Sequence, residues 1–478
     1  MEPYEELCAL VKKGMIVGSI QEVLGWDRDV MMPKGASEHR AVQEGTLAAV
    51  THQLLVNPRI GALLAIVEPQ NDEQRRNVAE IKRRYERNVR VPEYVVQEFS
   101  HICSTAHHAW EQARKASDFS VFAPHLQKIV TLLRTIAQHI DPNKDPYQVL
   151  FEEYEPSMTI EQVNTYFADI RSALLPLIQA ATSHTTYDFL HKDIDIGVQQ
   201  HVNHELLRAI GYDFVKGRLD VSTHPFTACY GRITTRFSEG WVSALGSTMH
   251  EAGHAFYEHG LPEQWFGLPL GEAVSLSVHE SQSRFWENHI WRSRAFWQFF
   301  LPKVQEAYGL SVDVDTLYTA INQVQPSFIR VEADELTYPF HIMLRFTIEQ
   351  ELIRGTLAVE NVPQRWNALM KEYLGVDVPN DAQGCLQDVH WSMGSMGYFA
   401  TYAIGTMLSA QLHACMQKSI DVDTCVVQGN FEPLKEWLHT HIWSQGNLYD
   451  TLTLAQKVTG KPLGAQDYIA YLQDKYQR

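Results

Sequence analysis

The stretch His250-Glu251-Ala252-Gly253-His254 sets two imidazoles four positions apart, with a carboxylate directly after the first. On an α-helix this spacing puts both rings on one face, about one turn apart. One element can then hold a metal ion and present a base beside it. The flanking residues favour a helix. Val242, Leu245, Met249, Ala252 and Phe256 form an apolar stripe after Gly240, and Gly260 and Pro262 mark its end. His250, Glu251 and His254 fall on the neighbouring face.

Two imidazoles are one ligand short, because a catalytic zinc ion takes three protein ligands and keeps a position open. Glu280 is the preferred third. It lies in His279-Glu280-Ser281-Gln282, and the turn signals from Gly260 to Gly271 let a second helix return antiparallel to face the histidines. Glu258 shares one stiff helix with both imidazoles. Three ligands there would spread over turns of about 5.4 Å, against metal-to-ligand distances of about 2 Å. It is expected at the surface or behind the ligands, and His259 and His279 read as polar neighbours or outer-shell groups. The chemistry that fits is amide hydrolysis, with the ion polarising the scissile carbonyl and acidifying water while Glu251 takes the proton and passes it on. A purely structural zinc would gain nothing from a buried carboxylate beside its first ligand.

Outward from this motif, helix signals dominate. Val78, Ile81, Tyr85 and Val89 form one stripe; Phe99, Ile102, Ala106 and Ala109 form a second after Pro92; Leu126, Ile129 and Leu133 form a third after Pro124. Met158 to Leu175 reads as helix, with Thr159 as N-cap, Gln162 completing a capping box, and Pro176 predicting a stop or kink. The run Arg232 to Phe237 is the best strand candidate, placed to line a substrate cleft. A second long helix is predicted from beyond Gly271 through Glu280 toward Phe300, its many aromatic rings packing a core.

Forty basic against fifty-seven acidic residues give a net charge of -17, which argues against a nucleic-acid surface. The basic run Lys82-Arg83-Arg84 is flanked by Glu80 and Glu86 and reads as a solvated helix face. Six dispersed cysteines without a close CxxC pair read as reduced thiols, pointing to the cytoplasm. The opening residues lack the apolar core of a secretory signal, and no apolar run is long enough to span a membrane.

Ordered blocks extend the motif into a resemblance. They include Trp26-Asp27, Met32 to Ala36, Tyr154-Glu155-Pro156, Gly217 to Asp220, His224-Pro225-Phe226, Gly267 to Asn288, Ile329 to Asp334, Gly384 to Trp391 and Gly397 to Tyr402. With these the chain resembles the M32 family of metallocarboxypeptidases, the thermostable carboxypeptidase Taq type. The resemblance implies a mainly α, large helical zincin-like metallopeptidase with a deep cleft and a small β element near the active site. Residues 1–200 would form a predominantly helical region contributing to the cleft, and residues 201–478 the catalytic region, with one continuous domain as the alternative. It also implies a homodimer that works with one zinc or cobalt ion per subunit. Single residues would be released from peptide C-termini with broad preference and poor use of proline.

Carried over, His250, His254 and Glu280 look like the metal ligands and Glu251 like the base. Arginine suits a terminal carboxylate because its planar donors reach both oxygens. Arg330 is the preferred clamp, with an ion pair to Asp334 as its ordinary role and Arg232 and Arg236 as alternatives. Tyr398, Tyr402, His224 and His390 are candidates for contacting the tetrahedral intermediate, and Asp388 for orienting a histidine. Two departures stand out: Tyr230-Gly231-Arg232-Ile233-Thr234 lacks the aspartate of the family's Asp-x-Arg-x-Thr block, and Ser157 replaces a glycine. A metallo-oligopeptidase cutting internally and a noncatalytic peptide-binding protein are the competing functions.

Overall fold

The stripe of Val78, Ile81 and Tyr85 folds as the helix Asp72–Arg90, whose N-cap Asn71 accepts from the Gln74 N–H. Pro92 precedes the helix Glu93–Ala116. Ser117, in the left-handed conformation, turns the chain toward Phe119–Ile140, which packs back against it. This third helix begins before Pro124, not after it. The ring sits so near the N-terminus that a single intrahelical bond is forgone. The computed structural model describes residues 2–237 and 240–477.

Thr159 and Gln162 form the capping box of the helix Ile160–Ala181. Pro176 does not stop this helix. It lies near the C-terminal end, where Leu174, Leu177 and Ile178 bury the face on either side of it and offset one lost hydrogen bond. The second long helix of the sequence reading is divided. Leu276–Arg284 is α-helical, Phe285–Trp291 is π-helical, and after a break capped by Ser293 the helix Arg294–Tyr308 follows. Phe285, Trp286, Phe296, Trp297 and Phe300 are all buried, so this aromatic run packs core.

One apolar core runs from Ala106 to Leu472 and joins most of the helices. A smaller one, built from Leu7, Val11, Ile60, Leu63, Ile81 and Leu268, anchors an N-terminal hairpin of two long helices, Pro3–Val30 and Ser37–Leu55. Beyond that anchor, Trp26 carries the guanidinium groups of Arg218 and Arg232 over its ring, at 5.1 and 4.4 Å from the centroid. The β element is a three-stranded sheet of β1 (Leu219–Val221), β2 (Thr227–Ala228) and β3 (Arg232–Thr235). In the order β1-β3-β2, β3 pairs parallel with β1 and antiparallel with β2, which leaves β2 at an edge. The fold is thus mainly α with a small sheet directly before the motif helix, Trp241–Gly260.

Candidate active site

The motif helix presents His250 and His254 one turn apart, their ring centroids separated by 5.0 Å. The helix Leu276–Arg284 lies against it. Gly253 makes this approach possible: a β-carbon there would stand 2.5 Å from the Gln282 carbonyl oxygen. Glu280 Oε2 consequently lies 3.6 Å from His250 Nε2 and 3.5 Å from His254 Nε2. Two ligands of one tetrahedral zinc ion are separated by roughly 3.3 Å, given bonds of about 2.0 Å. One ligand atom from each of the three residues falls within 4.8 Å of the others, so the set fits a divalent ion.

Every member of this set is held from behind. His250 Nδ1 is 2.7 Å from Glu287 Oε2. The Arg284 guanidinium donates to Glu280 Oε1 at 2.7 Å and to Glu287 Oε2 at 3.0 Å, and Ser283 Oγ donates to Glu280 Oε2 at 2.9 Å. Burial opposes ionisation of Glu280, but Arg284 and the two histidines outweigh it and hold the carboxyl below its ordinary range. Glu251, on the motif helix, accepts from Thr227 Oγ1 at 2.6 Å. Burial pushes its pKa upward, and His250 and the Thr227 hydrogen bond pull part of that back. A carboxylate tuned this way is a better proton acceptor than a solvated one.

A second cluster lies beside the first. Arg330 is buried, and its Nε donates to Asp388 Oδ1 at 3.0 Å. Arg345 Nε donates to the other oxygen at 2.6 Å. This corrects the expected ion pair of Arg330 with Asp334 and changes the reading of Asp388. Asp334 instead accepts from the backbone N–H groups of Gln325, Leu336 and Thr337, while Asp388 accepts from two arginines instead of orienting a histidine. The Arg330 guanidinium lies over the Tyr402 ring at 5.0 Å, and its Nη1 donates to Tyr338 Oη at 3.4 Å. Tyr338 also carries Arg284 over its face at 4.3 Å, so it joins the arginine cluster to the His250, His254 and Glu280 set. Tyr398 packs edge-on against Tyr402, and His390 Nε2 is 3.3 Å from Tyr402 Oη. Burial lowers the His390 pKa to about 4, leaving the ring neutral.

Of the remaining candidates, Arg232 is stacked on Trp26, and His224 is exposed in the connection between β1 and β2. At the departed block, Cys229, Tyr230 and Gly231 all have positive φ, and Tyr230 holds the turn through its carbonyl, which accepts from His259 Nε2 at 2.7 Å.

A family model described as carboxypeptidase Taq (M32) metallopeptidase matches residues 6–476. The chain belongs to that family. It is 36% identical to thermostable carboxypeptidase 1 of Thermus thermophilus, over 99% of this chain and 98% of that protein. Among solved structures, the M32 carboxypeptidase of Deinococcus radiodurans R1 is 37% identical, with a TM-score of 0.95 over 99% of this chain and 98% of the other. The Pyrococcus furiosus carboxypeptidase is 34% identical, with a TM-score of 0.96 over 100% and 99%. This M32 chain is accordingly a metal-dependent carboxypeptidase.

Sequence reasoning missed four residues that the fold brings against the candidate site: Thr227, Arg284, Glu287 and Arg345. Two of them left a signal. Glu280, Arg284 and Glu287 form an alternating charge ladder at helical spacing, the mark of a mutually paired face. Nothing in the spacing connects Thr227 to Glu251 or Arg345 to Asp388, because those contacts arise only when separate elements pack.

Proposed function

We propose that His250, His254 and Glu280 hold one divalent ion, zinc or alternatively cobalt, and that the chain removes single residues from the free C-termini of peptides. The observation that carries this reading is the three-residue ligand set with a buried carboxylate, Glu251, on the next position of the same helix. When bound, the ion supplies Lewis-acid polarisation of the scissile carbonyl and acidifies water. Glu251 takes the proton from the attacking water and delivers one to the leaving nitrogen, with the Thr227 hydroxyl fixing its carboxylate. Arg330 grips the terminal carboxylate of the peptide, its guanidinium aimed by Asp388. Tyr398 and Tyr402 stand beside Arg330 as candidate donors to the developing oxyanion.

Broad side-chain preference with poor cleavage at proline, a homodimeric assembly and a cytoplasmic setting complete the proposal. Six unpaired cysteines support a reducing compartment. Among the described residues no helix is long and apolar enough to cross a membrane.

The test is time-resolved mass analysis of a free peptide and its C-terminal amide with zinc-loaded protein and Glu251→Gln. Successive one-residue losses from the free peptide are expected, with the amide cut far more slowly. The variant should retain its metal and lose about 10²- to 10⁴-fold in rate. Equal rates on both peptides, or internal cuts, would favour an oligopeptidase.

A further inference from the structure

The two histidines are supported differently. His250 meets a carboxylate directly, with Nδ1 2.7 Å from Glu287. His254 does not. Its Nδ1 lies 2.6 Å from Nδ1 of His279, and Nε2 of His279 lies 2.7 Å from Glu258 Oε1. The opposite nitrogen of His254, Nε2, faces Glu280 and is the atom available to an ion. Ligation through Nε2 leaves the hydrogen of a neutral ring on Nδ1. His279 Nδ1 must then accept it, and the hydrogen of His279 sits on Nε2, where Glu258 accepts. One arrangement of hydrogens satisfies the entire chain.

The intervening ring is supplied by packing. Glu258 lies four residues beyond His254 on the same helix, and its carboxylate is engaged by His279 Nε2 at 2.7 Å. His279 comes from the facing helix, directly before the ligand Glu280, and bridges the two. Its ring centroid is 4.6 Å from that of His254, and the edge contact with Tyr257 at 5.2 Å fixes its plane.

We infer that His279 and Glu258 act as one positioning unit for His254, setting its tautomer and ring orientation and so raising affinity for the ion. The inference rests on the metal site proposed above and adds two residues that touch neither ion nor substrate. Partners of ligating imidazoles typically contribute 10- to 100-fold in metal affinity.

The test measures zinc affinity by chelator competition on the full chain stripped of metal, for the parent, Glu258→Ala, His279→Phe and the double variant. Unfolding midpoints of the metal-free forms are recorded alongside. Each single variant should bind zinc roughly 10- to 100-fold more weakly, with metal-free stability near that of the parent. Because the residues act through one chain, the double variant should lose little more than the larger single loss. Affinities within about threefold of the parent, losses that multiply in the double variant, or losses matched by equal destabilisation of the metal-free protein would each overturn the inference. If His279→Phe does not fold, Glu258→Ala alone decides by the same affinity and stability criteria. A parent that binds no zinc would overturn the metal site itself; a parent that binds with unaffected variants would overturn only the positioning unit.

Discussion

Glu349 carries the clearest pH signature in the molecule. It is fully buried and accepts from Tyr147 Oη at 2.8 Å, Trp391 Nε1 at 2.9 Å and the Gly397 N–H at 3.0 Å. Burial outweighs these donors and raises its pKa from the ordinary 4.5 to about 7. Between those values the folded chain keeps a proton that the unfolded chain has released, so this group makes stability fall as pH rises through the window. Glu349→Gln removes the titration. Its unfolding midpoint should therefore gain on the parent's from about pH 4.5 to 7, and parallel profiles would refute the assignment. None of this was legible in the sequence, where Glu349 is one acid among many. The cluster of His250, His254 and Glu280 was easier to read because helical spacing alone puts two of its members on one face. The partners of Asp388 were misread because an ion pair between distant segments has no sequence period.

The helix Leu276–Arg284 is pinched between two others by missing side chains. Gly253 faces it from the motif helix. Gly405, on the helix Ala400–Met416, brings its backbone so close that a β-carbon would stand 2.7 Å from Glu280 Cβ. Gly405→Ala should cost about 1–3 kcal/mol through overpacking and weaken zinc binding by displacing Glu280. Denaturant unfolding and chelator competition check both effects. Gly18→Ala supplies the contrast: its new methyl would meet Thr51 Cγ2 at an ordinary 3.5 Å, so stability should hold or rise by up to about 1 kcal/mol. Helices were legible throughout because apolar stripes fix them. The π-helical segment was not, since Phe285 to Trp291 continues the apolar pattern while its backbone pairing shifts by one residue to suit neighbouring helices. Pro176 was overweighted for a related reason, as packing along a whole helix exceeds one forgone bond.

At the scale of the molecule, an ion bound only by the native state stabilises it by mass action, by about 2.7 kcal/mol when free metal stands at 100 times its dissociation constant. Stripping the metal should lower the calorimetric midpoint, and restoring zinc should recover it; an unchanged midpoint would show that the ligands close around nothing. The mainly helical class was readable from periodicity, and most basic residues are spent on acidic neighbours. Arg83 and Arg84 pair with Glu80 and Glu272. Overall the chain carries -17, a field that repels anionic peptides at low ionic strength and is screened as salt rises. Around Asp388 the count reverses. Two guanidinium groups share a single carboxylate, and while the buried Glu349 nearby keeps its proton they leave one positive charge in excess among the described residues. A lone cation of that kind discriminates by valence: a molecule ending in one free anion cancels it, and one whose terminus is neutral leaves it uncompensated.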